Sequence, residues 1–196
     1  MSEFWIFFQL GLRHVLDING YDHLLFLVAL TAPFLFKDWK QILILVSVFT
    51  LGHTVAMLLN VYNILSIRSA IIEFLIPISI LITALFTLLS GGKPAKPQSK
   101  NAIMFITLFF GIIHGLGFST YFKSLLSGTP TDKLLPLFEF ALGIEAAQII
   151  IVTIVLIASY AVQTFTKFNK RDWTLVLSAF VIGVVLPLIV ENDIWK

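Results

Sequence analysis

Long apolar stretches separated by short polar segments dominate the chain. The polar or helix-breaking segments lie at 37–40, 60–68, 91–97, 123–133 and 167–172. Between them the sequence predicts six apolar spans, at about residues 21–36, 41–60, 69–90, 101–122, 134–163 and 173–190. A helix of about 20 residues crosses a hydrocarbon core of roughly 30 Å. The pattern therefore predicts an all-α, polytopic transmembrane helix bundle that forms a single integral-membrane domain over residues 1–196.

The N-terminal segment predicts an additional helix. Residues 4–17 are amphipathic, and Ile18, Asn19 and Gly20 interrupt the helical pattern before the first span. This segment is expected to form a seventh element that is either re-entrant or interfacial. No removable signal peptide is predicted, because a positive n-region and a small-residue cleavage site are both missing from the first residues.

Composition narrows the class of protein. Hydrophobic residues make up 58% of the chain and charged residues only 12%, whereas a soluble domain is roughly 25% charged. The net charge of +2 is spread without a basic block, so no nucleic-acid partner is expected, and membrane lipid is the surrounding partner. The chain has no cysteine, so a metal site would depend on imidazole and carboxylate ligands.

The distribution of Lys and Arg predicts the topology. On the six-span assignment, the odd-numbered connections carry eight basic residues and the other side carries five. Because basic residues accumulate in cytoplasmic loops, the odd connections are expected to be cytoplasmic, in a bacterial-type inner membrane.

Ionisable residues inside the spans lie at one depth. His53, Glu73, His114, Glu139 and Glu145 all fall in the predicted extracytoplasmic half; His53 is about seven residues, or roughly 10 Å, from the end of its span. Four more residues lie beside them at the start of the first span: His14, Asp17, Asp22 and His23. Ionisable groups are costly in a membrane and usually mark a site, so this common depth predicts a functional centre that faces the extracytoplasmic side.

Imidazoles and carboxylates together predict a divalent transition-metal site. They suit zinc, nickel, cobalt, iron or manganese without distinguishing well among them. The candidate ligands are His14, Asp22, His23, His53, His114 and Glu145, with Asp17, Glu73 and Gln148 as groups that orient the ligands. Simpler roles also exist: a lone buried histidine is often a packing residue, Asp17 can cap a turn, and Glu139 can be solvated near the interface.

Glycines surround His114. Gly111 and Gly115 form a GxxxG element and Gly117 follows, which predicts close helix packing that lets another backbone approach the histidine.

Five motifs together resemble the HupE/UreJ family. They are HVLDINGYDH at 14–23, FTLGHT at 49–54, EFLIP at 73–77, GIIHGLGF at 111–118 and GIEAAQ at 143–148. The resemblance covers residues from about 11 to 150. It implies a small membrane protein of hydrogenase or urease accessory systems, commonly regarded as a nickel or cobalt permease. The implied functional residues are His14, Asp17, Asp22, His23, His53, Glu73, His114, Glu145 and Gln148.

Three functions remain open from the sequence. The first is binding and uptake of a divalent metal of the nickel, cobalt or zinc type. The second is an intramembrane metal-dependent hydrolase that acts on a lipid or lipidated substrate, in which a catalytic zinc needs about three protein ligands and one open position. Its candidate catalytic residues are Asp17, Glu73, Glu145 and Thr54, with Ser119 as a further polarising group. The third is a non-catalytic accessory protein or sensor.

Overall fold

The computed structural model describes residues 3–18, 20–91, 97–126, 128–129 and 131–195. Within these ranges it contains seven α-helices: α1 Glu3–Leu16, α2 Asp22–Thr31, α3 Trp39–Val61, α4 Ser69–Ser90, α5 Pro97–Leu125, α6 Leu134–Phe165 and α7 Lys170–Val190. The last five are long and apolar enough to cross a membrane, whereas α1 and α2 are short apolar helices. The all-α fold and the additional N-terminal helix are therefore confirmed, and the chain is an integral membrane protein with multiple spans. Asn19, residues 92–96 and residues 127 and 130, which belong to three predicted breaks, lie outside the described residues.

The first predicted span, at 21–36, is wrong in length. Only its first part is helical, because α2 ends at Thr31 after 10 residues, about 15 Å of helix and half of a hydrocarbon core. Pro33 explains the end, because it has no N–H to continue the helical hydrogen bonds and its ring clashes with the carbonyl one turn earlier. A 3-10 turn at Phe36–Asp38 then leads into α3.

Glycines bring α1 and α6 into backbone contact. A Cβ atom on Gly11 would lie 2.2 Å from the carbonyl oxygen of Phe140, and one on Gly143 would lie 2.1 Å from that of Phe8. A later residue of α1 thus meets an earlier residue of α6, so the two helices are antiparallel. Only glycine permits this approach, because any side chain would overlap the opposite backbone.

The α3 and α5 helices form a second glycine-packed pair. A Cβ on Gly52 would lie 2.3 Å from the carbonyl oxygen of Leu108. Gly111 and Gly115 of α5 approach the carbonyl oxygens of Phe49 and His53 in the same way, since a Cβ on either glycine would lie 2.3 Å from the oxygen. The predicted GxxxG contact around His114 is therefore confirmed, and the two helices run parallel.

The short α2 helix lies in the interior, against α4, α6 and α7. Most of its side chains are buried, as expected for a helix that is apolar all round. The Thr87 hydroxyl of α4 donates to the carbonyl of Ala29 at 3.2 Å. The Thr174 hydroxyl of α7 shares its one proton between the carbonyl of Ala32, at 3.2 Å, and that of Lys170 in its own helix, at 2.8 Å. We call the end of the bundle with the α1–α2 connection the histidine end, and the end with the α2–α3 connection the distal end.

Candidate metal centre

Four histidines from four helices converge at the histidine end. His14 lies in the last turn of α1 and His23 in the first turn of α2, while His53 and His114 come from α3 and α5. The ring centroids of His14 and His23 are 4.7 Å apart, those of His23 and His53 5.7 Å, and those of His23 and His114 5.1 Å. We refer to these four residues as the histidine cluster. The close-packed α3–α5 pair positions two of its members.

Hydrogen bonds define how two of the rings are oriented. The Nδ1 atom of His114 lies 2.9 Å from the carbonyl oxygen of Phe110. A carbonyl only accepts, so this nitrogen carries the proton and Nε2 keeps a free lone pair. The Nδ1 atom of His23 lies 3.2 Å from the Asp22 carboxylate, which also accepts from the His23 backbone N–H at 2.9 Å. A carboxylate behind an imidazole is the usual arrangement that orients a metal-binding histidine.

Five ring nitrogens of the histidine cluster lack a hydrogen-bond partner within the described part of the chain. Nε2 of His14, Nε2 of His23, both ring nitrogens of His53 and Nε2 of His114 are buried with no hydrogen-bond partner among the described residues. His53 is fully buried. A buried polar atom without a partner costs about 1–3 kcal/mol. One of the two His53 nitrogens carries a proton and the other a lone pair, as in any neutral imidazole. Such a concentration of unpaired ring nitrogens is typical of a ligand site and not of a packed interior.

The geometry suits a metal ion. Ligand nitrogens of His14, His23 and His53 lie within 4.8 Å of one another. In tetrahedral coordination with metal–nitrogen bonds of about 2.1 Å, ligand nitrogens are about 3.4 Å apart. Rotations that shorten the separations by up to about 1.4 Å would therefore complete the site. Neutral imidazoles suit zinc, nickel and cobalt.

Aromatic side chains and a cavity surround His14. The Phe118 ring lies 4.0 Å from the His14 ring, and Phe118 stacks on Phe140 at 5.2 Å. A cavity of about 570 Å³, which we call the histidine-end cavity, reaches His14 between α1 and α5. Asp17 and Arg13 also line this cavity. His14 thus connects the buried cluster with a space at the histidine end.

Three predicted polar residues are engaged elsewhere. Glu145 of α6 accepts a hydrogen bond of 2.6 Å from the Ser47 hydroxyl. Gln148 is buried, and its side-chain oxygen accepts from the Thr50 hydroxyl at 3.0 Å. Thr54 donates to the carbonyl of Thr50 at 2.8 Å within its own helix. The first two contacts connect α3 with α6 beside the cluster.

The other candidates differ in exposure. Asp17 is exposed at the rim of the histidine-end cavity, and Glu73 is exposed near the start of α4. The alternative that Glu139 is solvated is wrong, because its side chain is only 3% exposed. Ser119 is buried and its hydroxyl donates back to its own helix at 2.8 Å.

Sequence reasoning missed a layer of phenylalanines behind the cluster. Phe26, Phe49 and Phe110 are buried, and each lies one helical turn from a clustered histidine on the same helix, toward the distal end. The signal was present as spacing, since residues three or four apart share a helix face. The contacts of Gly11 and Gly143 were also missed, because a single glycine in an apolar helix does not identify its partner.

The fold defines a polytopic helical membrane protein, and its histidine cluster has the composition of a site that could hold a metal ion. The family model for HupE / UreJ protein matches residues 1–191. The chain therefore belongs to the HupE/UreJ family, as its motifs predicted. Comparison with curated proteins and with solved structures gives no match.

Proposed function

We propose that the chain binds a divalent transition-metal ion at the histidine cluster and carries it across the membrane as a nickel or cobalt uptake protein. The observation that carries the proposal is the set of five imidazole nitrogens buried without a partner among the described residues. A neutral imidazole offers one nitrogen lone pair, which is a ligand that such ions prefer. Membership of the HupE/UreJ family supports a metal cargo. The excess of Lys and Arg on the odd connections supports an extracytoplasmic histidine end.

In this proposal three imidazoles replace water on the incoming ion. His14, His23 and His53 are the primary ligands, because their nitrogens lie within 4.8 Å of one another. His114 supplies a fourth nitrogen beside His23, its ring centroid 5.1 Å away. Asp22 acts through His23, whose Nδ1–H donates to the carboxylate, which raises the basicity of Nε2.

The surrounding carboxylates have other roles. Asp17, at the rim of the histidine-end cavity, supplies negative charge on the route to His14. Glu145 stays outside the ligand set, because its carboxylate accepts the hydrogen bond from Ser47. Gln148 supports α3 from α6 through Thr50. Glu73 is exposed and has no contact role in the proposed site.

Metal titration of the full chain tests the binding step. Chelator-treated protein in detergent is titrated calorimetrically with Ni²⁺, Co²⁺ and Zn²⁺, and bound metal is counted by elemental mass spectrometry. We expect one ion per chain, and a loss of affinity of at least 100-fold in His53→Ala. Ser178→Ala is the matched control, because Ser178 is a fully buried polar residue of α7 whose hydroxyl also has no partner among the described residues. Wild-type affinity in a folded His53→Ala variant would refute the site.

Flux measurements test the transport step separately. Proteoliposomes that contain the wild-type chain should accumulate Ni²⁺ or Co²⁺, whereas those with His53→Ala should not exceed empty liposomes. Stoichiometric binding without flux would refute transport while leaving the metal site intact. In that event, release of fatty acid from lipid by zinc-loaded protein would identify the hydrolase.

A further inference from the structure

A second cavity lies on the distal side of the histidine cluster. It has a volume of about 500 Å³ and is bounded by α2, α4 and α5, with contributions from the starts of α3 and α7. We call it the distal cavity. No histidine lines it, and the binding step described above does not use it.

The distal cavity and the histidine cluster are separated by aromatic rings. Phe26, Phe49 and Phe110, which we call the phenylalanine layer, are at most 5% exposed. The Phe26 ring lies 4.7 Å from Phe49 and 6.4 Å from Phe110. On one side the centroids of the Phe26 and Phe49 rings lie 5.5 and 5.2 Å from that of the His114 ring. On the other side Phe26 and Phe110 line the distal cavity. A single layer of side chains thus divides the two.

We propose that the distal cavity is the vestibule into which a hydrated divalent cation is released from the histidine cluster, with the phenylalanine layer as the barrier between them. This inference rests on the proposed function. A cation with six waters occupies about 180 Å³ at roughly 30 Å³ per water, so the distal cavity holds the ion with its first hydration shell. The apolar layer excludes hydrated ions, so passage requires its rings to move.

The polar lining of the distal cavity suits weak binding of a cation. Thr83, Thr87 and Thr107 are buried hydroxyl residues that line it. Thr83 donates its proton to a backbone carbonyl of its own helix at 2.9 Å, and Thr87 donates to Ala29 at 3.2 Å. Their oxygen lone pairs consequently remain available to water or to a cation. Neutral oxygens bind a transition-metal ion less tightly than imidazole does, which favours release.

Opposite charges lie at the distal end of the same cavity. Asp38 and Lys170 both line it, and both are half-buried. A carboxylate and an ammonium in one opening leave little net field, so a departing cation is neither held nor strongly repelled.

A lipid chain is the competing occupant, because Ile82, Phe86 and Ile106 also line the cavity and are exposed on the surface of the bundle.

The accessibility of introduced cysteines distinguishes a hydrated vestibule from a lipid pocket. Because the chain has no native cysteine, each single-cysteine variant reports on one position. Thr83→Cys places a thiol deep in the distal cavity, and Ser178→Cys is a matched buried control outside it. The full chain is labelled in sealed membrane vesicles of each orientation with a charged, membrane-impermeant methanethiosulfonate and with an apolar maleimide.

We expect the charged reagent to modify Thr83→Cys at least tenfold faster than Ser178→Cys, and only from the distal side. Adding Phe26→Ala, or Phe110→Leu where the first variant does not fold, should make the same thiol reactive from the histidine side. Equal rates for the two thiols, or reaction with the maleimide alone, would overturn the vestibule and indicate a lipid pocket. Unchanged sidedness in the folded double variant would overturn the barrier. Labelling needs no bound metal, so these outcomes are independent of the titrations that test the proposed function.

Discussion

Gly115→Ala tests whether backbone contact between α3 and α5 sets the geometry of the histidine cluster. A Cβ at this position would lie 2.3 Å from the carbonyl oxygen of His53, and 2.8 Å from its Cα. Ordinary contact begins at 3.4 Å, so the helices have to separate by about 1.1 Å. Backbone atoms cannot rotate away, and His53 is itself the residue displaced.

The shift moves His53 away from the other ligands of the histidine cluster. It adds to the approach of up to about 1.4 Å that the ligand nitrogens already need, so we expect the variant to lose at least tenfold in metal affinity, about 1.4 kcal/mol. The overpacked interface should also lower the free energy of unfolding by about 1–3 kcal/mol. Gly183→Ala in α7 is the matched control, since a Cβ there meets nothing within 4 Å. Its higher helix propensity makes it neutral or stabilising by up to about 1 kcal/mol.

Calorimetric titration with Ni²⁺ and unfolding in detergent followed by circular dichroism measure both effects. A Gly115→Ala protein that binds metal as tightly as Gly183→Ala and unfolds at the same point would refute the argument. Loss of stability with intact affinity would separate the packing role of the glycine from its effect on the site.

Two further substitutions address the residues around the cluster. Asp22→Asn removes the negative charge of the carboxylate that accepts the His23 Nδ1–H, and we expect metal affinity to fall about 10- to 100-fold. Asp132→Asn, at an exposed position, is the control and should leave the metal titration unchanged. Equal metal affinities of the two variants would contradict the orienting role of Asp22. Thr50→Val removes the donor to the buried Gln148 oxygen and should lower the free energy of unfolding by about 1–3 kcal/mol. In Thr153→Val the lost hydroxyl donates only within the exposed face of its own helix, so the unfolding of that control should resemble the wild type.

The helices that the sequence predicts well have unambiguous ends. The span at 69–90 coincides with α4, and that at 134–163 with all but two residues of α6, because polar and glycine-containing segments bound long apolar runs. The first span failed because Ala32, Pro33, Phe34 and Leu35 are as apolar as the helix that precedes them. Hydropathy measures the preference for lipid or interior and does not report the missing N–H of a proline.

The depth of the site and its four candidate histidines follow from the sequence, but which other polar residues at that depth join them does not. Position along a helix fixes the height of His53 and His114 at about 1.5 Å per residue. It does not fix which face of each helix packs against its neighbours. The glycine contacts determine that face. Glu145 illustrates the difference: it lies in the predicted half of its span, yet its carboxylate accepts from Ser47 of α3.

Metal binding should also stabilise the fold, because the ligands come from helices that belong to different packing units. His53 and His114 belong to the glycine-packed α3–α5 pair, His14 belongs to the α1–α6 pair, and His23 lies on α2. An ion bound to His14, His23 and His53 joins all three units. At 100 times the dissociation constant it adds about 2.7 kcal/mol to the free energy of unfolding. Ni²⁺ should therefore raise the Tm of the wild type and of Ser178→Ala but not of His53→Ala; a similar rise in all three would mean that the ion binds elsewhere.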